Sequence, residues 1–104
     1  MITTEIRNGV CHAQVNGDMT IYTAAECLAL LQQCMESCNE MEIDLSGVAD
    51  IDSAGVQLLI AAKRDGARLG KTLRLVSHSP SVQEIIDLYR LAPEFGDMMI
   101  IPPR

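Results

Sequence analysis

Apolar positions along the chain change period several times, and each change marks an element. Ile2 to Arg7 and Val10 to Val15 are short segments flanking Asn8-Gly9, a dipeptide suited to the two-residue turn of a β-hairpin. Gly17-Asp18 is expected to end the second strand, and Thr23 to cap a helix running to about Cys38. On that helix Ala24, Cys27, Leu28, Leu31, Cys34, Met35 and Cys38 recur at spacings of three and four, so they share one side. Met41 to Leu45 reads as a strand bounded by Asn39 and by Ser46-Gly47. From Ser53 to about Leu69 the spacing predicts a second helix, with Val56, Leu59 and Ile60 on the face along which the stem of Lys63 lies. Gly70 follows where helices commonly turn left-handed. Leu73 to Val76 is a strand. Ser81 is expected to cap a third helix with an apolar face of Val82, Ile85, Ile86 and Tyr89, and Met98 to Ile101 forms a last short strand before Pro102-Pro103.

The predicted order is β-β-α-β-α-β-α-β. Such alternation makes an α/β fold, a mixed β-sheet with helices packed on it, whose right-handed strand-helix-strand crossovers put parallel strands in the middle. With 104 residues, no internal repeat and no linker, residues 1–104 are expected to form a single domain. Hydrophobic residues make up 48% and charged residues 21%, which is a globular balance. No stretch approaches the ~18 apolar residues of a transmembrane segment, and Met1-Ile2-Thr3-Thr4-Glu5 does not open a secretory signal.

Charge and cysteine usage narrow the partners. The net charge of −6 repels a phosphate backbone, and one Phe and two Tyr offer little for bases to stack on, so no nucleic acid is expected. Lys63, Arg64, Arg68, Lys71 and Arg74 crowd five of the eight cations together, which reads as a solvated helix face and the turn after it. Of the four cysteines, three lie on the apolar side of the first helix, with no C-x-x-C pair and no His or carboxylate in the stripe. They read as small core residues, and reduced thiols point to a cytoplasmic protein. No cofactor is implied.

Two tempting motifs fail. Gly70-Lys71-Thr72 ends like a phosphate loop, but position 65 is Asp where a glycine is needed, and a helix precedes the motif instead of following it. Ser77-His78-Ser79 places a hydroxyl beside an imidazole, yet sequence neighbours seldom face each other as a nucleophile and its base. The odd segment is Asp50-Ile51-Asp52-Ser53-Ala54-Gly55-Val56. Asp52 or Ser53 can cap the second helix, but Gly55 then falls in its first turn, where it costs about 1 kcal/mol relative to Ala. A glycine there suggests close approach by another backbone or by a partner. The Ser53 hydroxyl is expected to sit exposed at the helix mouth, beside free N–H groups that tolerate a phosphate.

The segment Ile51-Asp52-Ser53-Ala54-Gly55-Val56 resembles the signature of STAS domains, the fold of bacterial anti-sigma factor antagonists. The likeness extends through Gly17 to Ala24, Glu42 to Val48, Gly70 to Val76 and Ser79 to Val82, in the family's order. The resemblance implies a phosphorylation-controlled binding module and not an enzyme. Ser53 matches the phosphate acceptor; Asp18, Thr20, Ile21, Tyr22, Ile51, Asp52, Ala54 and Gly55 match the partner-binding surface. The implied partners are an anti-sigma factor that is also a serine kinase, which binds the unphosphorylated form, and a PP2C-type phosphatase that restores it. Two positions depart from the family pattern: Ala54 replaces a common second hydroxyl, and Thr20 stands where sporulation-type members carry Asp. The Met19-Thr20-Ile21-Tyr22-Thr23-Ala24 form is similar to Gram-negative STAS proteins, some tied to chemotaxis-type signalling. Other single-domain members serve as subunits of lipid-transport ABC complexes.

Overall fold

Asn8 and Gly9 both take positive φ, 54° and 80°, the conformation that a two-residue hairpin turn demands. The computed structural model describes residues 2–89. In it the turn joins β1 (Ile2–Arg7) to β2 (Val10–Met19), antiparallel, with Arg7 opposite Val10 and Ile2 opposite Val15. Then follow α1 (Ala24–Ser37), β3 (Glu40–Ile51), α2 (Ser53–Arg68), β4 (Thr72–Val76) and α3 (Pro80–Tyr89). β3 lies parallel between β2 and β4, giving the sheet order β1-β2-β3-β4. The expected strand at Met98 to Ile101 lies outside the described residues.

Two strands run further than their sequences suggest. Gly17-Asp18 does not end β2, and Ser46-Gly47 does not end β3. Register shifts between Gln14 and Asn16, and between Gly17 and Asp18, absorb residues that fit no regular ladder, and Gly17 takes φ 100° to do so. Gly47 has no room for a side chain: a Cβ there would meet the Asn16 side chain and come within 3.0 Å of the Val15 carbonyl oxygen. The ladder therefore continues to Asp18 beside Asp50 and Met19 beside Ile51. That continuation brings the β2–α1 and β3–α2 junctions side by side.

One face of the sheet is apolar. Cys11, Ala13 and Val15, Met41, Ile43 and Leu45, and Leu73 and Leu75 are buried, with polar neighbours alternating between them. They share a core with Cys27, Leu31 and Met35 of α1, Val56, Leu59 and Ala62 of α2, and Val82 and Ile86 of α3. Leu31, Leu45 and Leu75 have no exposed surface, so truncating one to Ala costs about 2–5 kcal/mol. The cysteine stripe is thus a core face, and all four thiols are free. On the other face of the sheet Arg74 pairs with Glu42 at 2.9 Å and Glu40 at 3.5 Å.

Helix ends depart from the sequence reading in two places. Thr23 occupies the N-cap of α1 without capping it: its hydroxyl accepts from the Thr20 N–H (3.0 Å) and donates to the Asp18 carbonyl (2.9 Å). It clasps the incoming loop instead. Ser79, not Ser81, caps α3, accepting from the Val82 N–H at 3.2 Å with Pro80 as the first helical residue. Ser81 instead donates to the Ala49 carbonyl at 2.9 Å. The end of α2 follows the expectation. Gly70 has φ 72°, and the N–H groups of Gly70 and Lys71 bond back to Ala67 and Gly66, the paired closure of a Schellman motif. Two lysines of the basic cluster turn to the backbone, Lys63 donating to the Leu73 carbonyl and Lys71 to the Met35 carbonyl, while Arg64 and Arg68 stay exposed and Arg68 pairs with Asp65.

Candidate functional site

Asp52 organises the junction of β3 and α2. Oδ1 accepts from the N–H groups of Ala54 (2.9 Å) and Gly55 (3.1 Å), and Oδ2 accepts from the N–H of Ile21 (3.0 Å), across from the other junction. One carboxylate caps a helix and holds the β2–α1 loop. The Ile21 N–H foremost, with those of Gly55 and Ala54, keeps the Asp52 carboxyl below the usual aspartate range. The Asp52 N–H closes the same junction by donating to the Met19 carbonyl at 3.3 Å.

Gly55 is where the two junctions touch. A Cβ at this position would fall onto the carbonyl oxygen of Met19 and lie 2.8 Å from Cγ1 of Ile51. The close neighbour suspected from the sequence is thus the chain's own backbone. Gly55 and Ile51 are both buried, so neither offers a side chain to a partner, against the expectation that both line the docking surface. They set the spacing of the site from beneath. Val56 is likewise core.

The remaining positions reach the surface. Ser53 is exposed at the mouth of α2, and Asp18 and Asp50, neighbours across the parallel ladder, are exposed near the ends of β2 and β3. Tyr22 is 93% and Ile21 70% exposed, an uncommon investment of apolar area for a loop tip. Thr20 and Ala54 are half-buried, and the Thr20 carbonyl accepts from Thr23 and Ala24. The N–H groups beside Ser53 are not free as expected: the Asp52 carboxylate occupies two of them, and Val56 bonds the Asp52 carbonyl at 3.1 Å. An anion on Ser53 therefore meets a helix end whose positive pole is already answered by a carboxylate.

Sequence reasoning missed an open groove of about 370 Å³ between α1 and α2, lined by Ala24, Ala25, Leu28, Ala54, Gln57, Leu58 and Ala61. It begins beside Ser53 and is mostly apolar. Its only trace in the sequence is the set of alanines at matching ends of two helices. Among the described residues no group of His, Cys, Asp and Glu has the arrangement to hold a metal ion. No helix there is long and apolar enough to cross a membrane.

Residues 2–100 match the family model described as Mlab, STAS domain. Among solved structures, the chain is similar to an anti-sigma factor antagonist from Mycobacterium paratuberculosis, with a TM-score of 0.82 at 23% identity over 100% of this chain and 86% of that one. It is also similar to the Bacillus cell fate determinant SpoIIAA in its phosphorylated form, with a TM-score of 0.72 at 14% identity over 100% and 93% of the two chains. No curated protein matches by sequence. At these identities the structural likeness establishes the fold.

Proposed function

The chain belongs to the STAS domain family, of Mlab type, and we propose on that premise that it is a phosphorylation-controlled protein-binding module, an anti-sigma factor antagonist acting by partner switching. In this reading the unphosphorylated chain binds an anti-sigma factor that is also a serine kinase. Ser53 receives the phosphate, and a PP2C-type phosphatase removes it. The chain is a substrate of that kinase and a regulator, not a catalyst. Asp18, Thr20, Ile21, Tyr22 and Ala54 form the contact surface, while Ile51, Asp52 and Gly55 hold its shape.

The observation that supports this reading is the placement of Ser53: an exposed hydroxyl at a helix mouth, next in sequence to the Asp52 carboxylate that holds the loop of the exposed Ile21 and Tyr22. A phosphate brings about −1.5 to −2 charges to a helix mouth that already holds the Asp52 carboxylate. Water accommodates that charge on the isolated domain. A partner seated on Ile21 and Tyr22 does not, and an unpaired interfacial charge costs on the order of 2–5 kcal/mol, or roughly 30- to several-thousand-fold in affinity.

The experiment is direct. Incubation with ATP and a serine kinase encoded beside it in its genome should place one phosphate on Ser53, mapped by mass spectrometry and absent from Ser53→Ala. Phosphate elsewhere, or none, defeats the proposal. The Mlab description of the matched family favours one second reading, a STAS subunit of a lipid-transport ABC complex. That reading uses the same loop surface with no phosphate, and a membrane ATPase co-purifying in place of a soluble kinase supports it.

A further inference from the structure

Among the described residues β1 has a strand neighbour on one side only, since the sheet order is β1-β2-β3-β4. Around the two-residue turn, Arg7 and Val10 are the pair that exchanges N–H···O bonds, so alternation gives the bonded positions of β1 to Arg7, Glu5 and Thr3. The N–H and C=O groups of Ile2, Thr4 and Ile6 therefore point away from β2. Natural sheet edges are commonly blunted by Pro, by a bulge or by a charge on the core side. β1 has none of these. Its register with β2 is unbroken, and its two charges, Glu5 and Arg7, lie on the outer face as an ion pair at 3.3 Å. Its core-side positions are Ile2, Thr4 and Ile6, and Ile6 is 57% exposed. On β4, by contrast, Lys63 already takes the Leu73 carbonyl.

We propose that a second copy of this chain covers that edge, β1 pairing antiparallel with the second copy's β1 about a two-fold axis at Thr4. Only a pairing centred on Ile2, Thr4 or Ile6 brings the outward N–H and C=O groups of both strands face to face. Thr4 as centre gives the longest overlap: Ile2 opposite the second copy's Ile6, Thr3 opposite Glu5, and Thr4 opposite Thr4. Centring on Ile2 or Ile6 shortens the ladder, because β1 runs only from Ile2 to Arg7 and Asn8 turns away with φ 54°. Centring on Glu5 turns bonded groups toward bonded groups and sets two carboxylates opposite each other.

The Thr4 register is matched on both faces. On the core side the exposed Ile6 meets the second copy's half-buried Ile2, and Thr4 meets its own equivalent. On the outer face Glu5 meets a threonine and stays paired with its own Arg7, so no like charges stand directly opposite. The strip from Ile2 to Ile6 is about 17 Å long and buries less than the roughly 1,200 Å² of a standard interface, so the dimer is reversible and concentration-dependent. Each chain carries a net charge of −6, which opposes association and is screened by salt. The two-fold axis runs the two copies of β2 in opposite directions, which puts the two Ser53 sites at opposite ends of one continuous sheet. β1 contributes nothing to that site, so pairing leaves both copies of it open.

Sedimentation velocity of the reduced full chain, from micromolar to millimolar concentration, tests the proposal. The weight-average mass should climb to twice that of the monomer and stop there, with the midpoint moving to lower concentration as sodium chloride is added. Thr4→Pro should abolish the dimer while keeping the monomer's circular dichroism, because the lost N–H belongs to no bond with β2. Ile6→Lys should do the same by placing a charge on the core side of the edge. Hydrogen exchange on the unsubstituted chain, read by NMR, keeps the test sound if a variant folds poorly. The Thr4 and Ile6 amides should slow by about tenfold when nine-tenths of the chains are paired. A chain still monomeric at millimolar concentration, growth past the dimer, association weakened by salt, a dimer that survives in a folded Thr4→Pro variant, or Thr4 and Ile6 amides that stay fast in the dimer would each overturn it.

Discussion

Replacing Gly55 by Ala tests the contact on which the geometry of the site depends. In an unconstrained helix this change stabilises by about 1 kcal/mol, because alanine restricts the unfolded chain and suits the helix. Here the new methyl group would lie on the Met19 carbonyl oxygen and 2.8 Å from Cγ1 of Ile51. Met19 has no exposed surface, and its carbonyl holds the Asp52 N–H, so the oxygen cannot move without releasing that bond. Neither obstacle is a flexible side-chain tip that can rotate away. Overpacking of this kind costs about 1–3 kcal/mol, and a rigid backbone atom puts it at the upper end. Subtracting the propensity gain leaves a net loss of about 2 kcal/mol, a fall in melting temperature of roughly 8–16 °C for a domain of this size. Urea titration and thermal melting by circular dichroism measure it. A variant as stable as the parent, or more stable, would refute the reasoning.

Three further outcomes follow from the same structure. Tyr22→Ala should leave stability within about 0.5 kcal/mol, since the ring is 93% exposed, while cutting partner affinity about fivefold or more; a stability loss with unchanged affinity would invert the role assigned to the loop. Gly70→Ala forces φ 72° on a residue with a Cβ, though no atom lies within 4 Å of it, so denaturation should show a loss of about 1 kcal/mol from backbone strain alone. For Asp52 the folded carboxyl is depressed below its unfolded value, so its contribution is present above the ordinary aspartate range and is lost as pH falls through the folded value. Asp52→Asn should therefore flatten the acid side of a urea-midpoint profile as pH falls through and below the ordinary aspartate range, and an unchanged slope would contradict the assigned hydrogen bonds.

The sequence made local geometry legible wherever one residue decides it. Asn8-Gly9 and Gly70 carry the positive φ values that their turns require, and Cys27, Leu31 and Met35 show the helical period of a buried stripe. It misled where glycine serves tertiary contact. Gly17 and Gly47 look like strand ends, but they let two irregular strands pass close together and continue to Met19 and Ile51. Serine and threonine near helix starts were ambiguous in the same way, since Thr23, Ser79 and Ser81 can each bond forward into a helix or back to a loop. Of the candidate site, the exposed hydroxyl of Ser53 and the loop tip were readable from the chain. The burial of Gly55 against Met19, and the reach of Asp52 to the Ile21 N–H 31 residues away, appear only once the strands pair.

The most direct measurement compares the affinity of the kinase partner for the chain carrying phosphoserine at position 53 with its affinity for the unmodified chain, by isothermal titration calorimetry. The account predicts that modification weakens binding by roughly 30-fold or more, with Ser53→Ala binding like the unmodified chain. Equal affinity for the modified and unmodified chains would contradict it.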